Sequence, residues 1–195
     1  TMSNPPLILY YKGCIGSQHN LTVTIVGTRK ATEYGIAVAK LATGDYIARK
    51  SVIISGLAIG IDSVAHKTAI LMGGFTYAFV ANGLDVCYPK ENSGLMDEIK
   101  NQGAVISPYP VGTPPRKHQF IRRNEIMSGW SDEVVVVEGG ATSGAVMTGQ
   151  FALKNHRPVY AVPNNIFIST SDGCNILLDK GARPYLCKHD LTRKK

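Results

Sequence analysis

Short runs of β-branched and apolar residues recur along the chain, each closed by glycine, proline or asparagine. Val23-Thr24-Ile25-Val26 stops at Gly27, Val52 to Ser55 at Gly56, and Tyr77 to Val80 near Asn82-Gly83. Ala104 to Ser107 stops at Pro108, Val134 to Val137 before Gly139-Gly140, and Val159 to Val162 at Pro163. These runs are apolar on both faces, as strands buried on both sides of a parallel sheet must be. Between them lie stretches of helical period, from about Tyr34 to Arg49, Ile61 to Met72, Glu91 to Gln102, Phe120 to Trp130 and Ser143 to Asn155. The clearest carries Ile61, Val64, Ala65, Thr68, Ala69 and Met72 on one stripe, which predicts packing against the sheet. Strand–helix alternation at this spacing builds βαβ units with right-handed crossovers. The expected fold is α/β: a doubly wound, mostly parallel sheet with helices on both faces.

The two ends depart from this rhythm. Residues 1–20 hold a short run from Leu7 to Tyr11 followed by Lys12-Gly13-Cys14, which suits an added edge strand. Residues 164–195 suit loops, a short helix near Cys174 to Lys180 closed by Gly181, and a last strand near Pro184 to Leu186. With the main core at 21–163 and no dividing linker or repeat, the expectation is a single domain over 1–195.

Composition narrows the function classes. Hydrophobic residues make up 44% and charged residues 18%, the balance of a folded chain rather than a disordered one. No apolar stretch is long enough to span a bilayer, so no membrane partner is expected and a cytoplasmic location is the default. The four cysteines, Cys14, Cys87, Cys174 and Cys187, form no CxxC pair and have no histidine at finger spacing, which argues against structural zinc. The net charge of +7 points toward an anionic partner if it gathers on one face; Arg193-Lys194-Lys195 reads as a solvated tail.

In an open parallel sheet, ligands bind beyond the carboxyl ends of the strands, where glycines admit the backbone and helix N-termini offer free N–H groups. The polar, glycine-rich segments fall there: Gly27-Thr28-Arg29-Lys30, Ser55-Gly56-Leu57-Ala58, Asn82-Gly83-Leu84-Asp85 and Gly139 to Gly144. Arg29 stands where GxGxxG needs its second glycine, and no GxxxxGK[ST] stretch exists, so neither a dinucleotide fingerprint nor a P-loop is present. No cofactor is expected. The glycines alone also suit ordinary tight βα turns, but an arginine beside such a turn pre-forms a phosphate clamp. A second segment, Pro114-Pro115-Arg116-Lys117-His118-Gln119-Phe120-Ile121-Arg122-Arg123, surrounds one phenylalanine with fixed cations as a loop enters a helix. Single-strand binders combine such cations with an aromatic face for a base. Phe120 equally suits a core anchor with solvated arginines around it.

Other polar residues carry less. Asp62 suits a cap for the helix beginning near Ile61, with His66 bonded to it one turn later. Ser55 and Ser63 are near, but no GxSxG elbow exists and no complete catalytic constellation forms, so the chain is not expected to be an enzyme. Glu138, closing the fifth run, is expected to pair with Arg122 or Arg123.

The motif series is specific when taken together. Val26-Gly27-Thr28-Arg29-Lys30-Ala31-Thr32 is followed by Ser55-Gly56-Leu57-Ala58, Gly60-Ile61-Asp62 and Ala65-His66. Then come Gly83-Leu84-Asp85, Tyr88-Pro89, Asn92, Gly112-Thr113-Pro114-Pro115, Phe120, Arg122-Arg123-Asn124, Val137-Glu138, Ser143-Gly144, Ala161-Val162-Pro163 and Gly173-Cys174-Asn175. In this order, over roughly residues 5–187, the series resembles the DprA/Smf family of DNA-processing proteins. The resemblance implies a Rossmann-like core that binds single-stranded DNA without sequence preference. It also implies a homodimer and delivery of a RecA-type recombinase to the strand in transformation or recombination. Carried over by residue, the DNA pocket falls on Arg29, Lys117 and Phe120, with Arg122 and Arg123 lining or shaping it and Thr28, Lys30 and Gly56 beside it. Ile59, Asn82, Thr142 and Asn164 depart from the family's usual residues, and the first and third remove cations expected near the crevice. The alternative is a nucleotide-binding or nucleotide-hydrolysing protein of the lysine-decarboxylase-like phosphoribohydrolase group, whose PGGxGTxxE signature Glu138 to Gly144 faintly echoes. That chemistry needs a glutamate downstream of a Gly-Thr pair, where this chain reads Thr148-Gly149-Gln150.

Overall fold

The computed structural model describes residues 2, 4–16, 21–168 and 171–186. The predicted strands form as β2 (Thr22–Val26), β3 (Val52–Ser55), β4 (Thr76–Phe79), β5 (Gly103–Ser107), β6 (Glu133–Val136) and β7 (Val159–Ala161). An edge strand β1 (Tyr10–Gly13) and a short β8 (Arg183–Pro184) complete an eight-stranded sheet. Its order is β1-β5-β4-β3-β2-β6-β7-β8. Every pairing is parallel except β1 with β5, where Tyr10 faces Ser107 and Gly13 faces Ala104 in antiparallel register.

The helices are α1 (Glu33–Ala48), α2 (Ile61–Leu71), α3 (Ser93–Asn101), α4 (Lys117–Trp130), α5 (Gly144–Lys154) and α6 (Asp172–Asp179). Their ends obey local chemistry. Thr32 Oγ1 accepts from Gly35 N at 3.0 Å and starts α1, and Ser143 Oγ accepts from Val146 N at 3.3 Å and starts α5. Gly181, at φ +98°, follows α6 in the left-handed conformation that such stops favour. Several boundaries differ from expectation by a few residues, among them α3, which starts at Ser93, and β8, which is Arg183–Pro184. Helix α4 starts a turn earlier, at Lys117, directly after Pro114-Pro115 and the extended Arg116. Helix α2 ends at Leu71, so Met72 lies beyond its last residue and is 50% exposed rather than packed.

Successive strand residues alternate between two cores. Val23 and Ile25 face α1 and α2 with Ala39, Ala42, Ile61 and Ala65, and α3 extends that layer through Leu95, Met96 and Ile99. Val26, Ile54 and Phe79 face the other side with Ile126 and Met127 of α4, Val146 of α5 and Leu177 of α6. Each such side chain fully removed from water contributes roughly 1.5–3 kcal/mol. The chain runs outward from β2 through β3 and β4 to β5, then returns past β2 to build β6, β7 and β8. The strand order therefore reverses between β2 and β6, and the loops leaving these two strands diverge there and open a crevice.

Candidate nucleic-acid interface

That crevice holds a cleft of about 340 Å³. The loop after β2 supplies Gly27, Thr28 and Arg29; α4 supplies Phe120, Arg123, Asn124 and Met127; and the start of α5 supplies Ser143 and Gly144. On α4 these residues stand at i, i+3, i+4 and i+7, so one stripe of the helix lines the cleft. Lys117, one turn before Phe120, is exposed at the head of the same stripe.

The loops after β2 and β3 are pressed together. Ile61 N donates to Thr28 O at 3.3 Å, and Gly60 sits at φ +87° where a Cβ would collide with the Thr28 carbonyl. Only glycine allows that approach without strain. The contact holds the turn from which Arg29 and Lys30 project into solvent. Thr28 Oγ1 accepts from Lys30 N at 3.2 Å, which tightens the same turn.

Phe120 is half-buried. Its ring lies 5.5 Å from that of Tyr88 at 59°, and the Arg123 guanidinium stands 5.8 Å from its centroid. The ring is thus propped from two sides and still borders the cleft. The N-terminus of α4 carries Arg116, Lys117 and His118, all exposed, and no acidic residue stands in its first turn. Side-chain cations there add to the positive end of the helix dipole, an arrangement that a bound anion relieves.

The paired arginines divide. Arg123 is 5% exposed; its Nη1 donates to Phe79 O at 2.6 Å and to Gly56 O. It faces the buried Asp62, whose carboxylate accepts from Ala58 N at 3.3 Å. Burial pushes the Asp62 carboxyl up, and Arg123 pulls it back down. Arg123 therefore shapes the cleft from beneath, with Nη1 committed to two backbone carbonyls and Nε without a partner among the described residues. Arg122 points elsewhere: it donates to Glu125 at 2.6 Å and to Asn4 O at 2.9 Å, and it borders neither this cleft nor a second one, of about 440 Å³, that meets it at Phe120. Adjacent helix residues are about 100° apart, so the pair cannot serve one pocket. Gly56 is buried, and a Cβ there would strike the Arg123 guanidinium, so its part is to admit that side chain.

Further expectations are corrected. Glu138 pairs with neither Arg122 nor Arg123; it accepts from Thr32 N at 3.1 Å and Thr32 Oγ1 at 3.2 Å, fully buried beneath the start of α1. Asp62 is not a cap for α2, whose start at Gly60 has no side-chain acceptor. His66 bonds Thr76 Oγ1 at 2.7 Å instead of Asp62. The Thr76 hydroxyl donates to Ile53 O at 3.0 Å, so Nδ1–H is the donor and Nε2, without a partner among the described residues, carries the lone pair. Burial, with Arg123 adding to it, lowers the His66 pKa to about 3. Ser55 Oγ donates to Ile25 O at 2.7 Å and Ser63 Oγ to Ala58 O at 2.6 Å, so backbone carbonyls hold both hydroxyl protons. Asn82 is buried, tying down its own loop through Gly83 O and Val86 O. Ile59 borders the second cleft, while Thr142 lies outside both. Asn124, Ser143 and Thr148 line the crevice without having been singled out as site residues; the helical spacing of Asn124 from Phe120 was the available signal.

The family model described as DNA recombination-mediator protein A matches residues 1–194. DNA processing protein DprA of Streptococcus pneumoniae is 40% identical over 179 residues, covering 91% of this chain and 63% of that protein. Its X-ray structure is similar at a TM-score of 0.88 and 38% identity, over 97% of this chain and 66% of that one. A structure of DNA processing protein A from Helicobacter pylori, described as having a unique single-stranded DNA binding mode, matches at a TM-score of 0.86 and 28% identity, over 97% of this chain and 87% of that one. The molybdenum cofactor binding protein of Rippkaea orientalis reaches a TM-score of 0.62 at 18% identity, over 90% of this chain and 94% of that one, a likeness of fold alone. The chain spans less than two thirds of the length of the curated relatives it matches. With a family model spanning almost every residue and the doubly wound sheet shared throughout, the chain belongs to the DprA/Smf family of DNA recombination-mediator proteins, a family of DNA processing.

Proposed function

We propose that this chain binds single-stranded DNA without regard to sequence, and that it does so as a binding module rather than as an enzyme. One observation carries the reading: the exposed Arg29 and the half-buried ring of Phe120 border the same crevice, with Lys117 exposed one turn before the ring. Arg29, Lys117 and Lys30 hold phosphates, Phe120 stacks a base, and Thr28 and Gly56 fix the loops around them. Stacking on an aromatic ring is sequence-tolerant because every base has a π face, and each stacked base contributes roughly 1–3 kcal/mol. The pneumococcal and H. pylori proteins support the reading by family, and a RecA-type recombinase and a second copy of the chain are the partners it implies.

The test is a salt titration of binding to oligo-dT and to duplex of the same length. Single strands bind more tightly, and affinity falls linearly on a logarithmic salt scale with a slope of roughly 0.7 per phosphate contact. Equal affinity for duplex contradicts a role for Phe120, and a salt-independent affinity contradicts the cationic rim.

A further inference from the structure

Phe120 stands between two clefts rather than at the end of one. Beyond the crevice at the switch point lies a second cleft of about 440 Å³, bordered by Ile59, Tyr88, Pro89 and Glu91. Both volumes fall within the range of roughly 300–1,000 Å³ typical of ligand sites. The two share Arg29, Ala58, Phe120 and Arg123, so they meet beneath one fixed cation and one ring. Their walls differ. The first presents Asp62, Asn124, Ser143 and Thr148, whereas the second adds Ile59, Tyr88 and Pro89, with Lys90 and Glu91 beside them. Ile59 is 46% exposed and Tyr88 42% exposed, large apolar surface at an otherwise polar rim. The 59° tilt between the Tyr88 and Phe120 rings keeps them from covering each other's faces.

We propose that this second cleft is a base subsite: an unpaired nucleobase stacks on Tyr88 against Ile59, adjacent along the strand to the base on Phe120. The inference rests on the single-strand reading above and deepens it. The unit recognised is a dinucleotide step with its bases splayed to either side of Phe120 and the phosphate between them on Arg29. Consecutive nucleotides share one phosphate, and the clefts share one exposed arginine. Lys90 and Glu91 line the second cleft side by side with opposite charges, so the base entering there is held by the Tyr88 ring and Ile59 rather than by charge. Stacking on a ring face accepts any base, and a paired base has no free face to offer, so the subsite takes unpaired bases of any identity.

Fluorescence anisotropy with oligo-dT and with a fully abasic oligonucleotide of the same length separates base from backbone. Tyr88→Ala is expected to lose roughly ten-fold or more in affinity for oligo-dT and to match the unmutated protein on the abasic strand. Tyr88→Trp restores oligo-dT binding. Ile59→Ser, on the facing wall, gives the same base-dependent loss without touching Phe120. The Tyr88→Ala, Phe120→Ala pair binds oligo-dT more weakly than either single variant. Equal losses on both strands, no loss on oligo-dT, or a double variant no weaker than Phe120→Ala overturns the subsite; the last result marks Tyr88 as a prop for Phe120. If the unmutated protein binds no oligonucleotide, the single-strand reading falls and the subsite with it. If Arg29→Ala abolishes binding while Tyr88→Ala and Ile59→Ser bind fully, the subsite alone falls.

Discussion

Arg122 and Arg123 are neighbours in sequence and opposites in role. Arg123 is enclosed, with its Nη1 on two backbone carbonyls and Asp62 facing it, so removing it strands a buried carboxylate and two acceptors. Arg123→Ala is expected to destabilise the fold by roughly 3–5 kcal/mol, read from urea unfolding. Arg122→Ala, losing a partly exposed pair with Glu125, is expected to cost about 1 kcal/mol or less. Equal effects contradict the division. His66 gives a second test. From its ordinary value of 6.5 down to about 3, the unfolded chain binds a proton that the folded ring refuses. Stability therefore falls as pH drops through that window, by at most about 1.4 kcal/mol per pH unit from this group. His66→Leu is expected to flatten that slope in unfolding measured from neutral pH downward; an unchanged slope contradicts a neutral buried ring. Arg29 was legible as the residue beside the Gly27 turn that closes a run, and Phe120 as the one ring among cations; the fold sets both on one cleft. The sequence did not mark Arg123 as structural, since a cation beside another cation resembles surface; its alignment with Ile126 and Met127, three and four residues on, was the overlooked sign.

At the scale of elements, α4 both supports the core and lines the crevice. Ile126 and Met127 enter the core while Phe120 and Asn124 border the crevice, so the packing of the helix also positions its crevice residues. Three exposed cationic or titratable side chains sit at the positive end of its dipole, an arrangement that costs stability and that a bound anion relieves. Lys117→Glu is accordingly expected to stabilise the fold by about 0.3–1 kcal/mol while weakening oligo-dT binding ten-fold or more. A variant that loses both stability and binding contradicts the assignment of Lys117 to the ligand. The strands and helices were legible from period and breakers because burial on both sheet faces leaves few polar residues in a strand. The start of α4 was placed a turn late, since Lys117 and His118 belong to the helix without contributing to its apolar stripe.

At the scale of the molecule, the strand order decides where the loops meet. Adjacent elements in sequence could have been joined in several orders, and nothing in the runs themselves states that β6 returns to lie beside β2. The carboxyl-end loops were readable one by one; their convergence at the β2–β6 divide required the fold. That convergence brings Arg29 from one half of the sheet against Phe120 from the helix leading into the other. On the proposed reading, Arg29 of one loop, with Lys117 and Phe120 of α4, suits an unstacked anionic strand, whereas duplex DNA has no exposed base to offer the ring.

The most direct measurement compares the unmutated chain with an Arg29→Ala, Lys117→Ala variant in oligo-dT binding across a series of salt concentrations. Loss of two phosphate contacts is expected to lower the logarithmic salt slope by roughly 1.4, with affinity reduced at every concentration and thermal unfolding unchanged. A folded variant that keeps both the affinity and the slope of the unmutated chain contradicts the crevice as the DNA site.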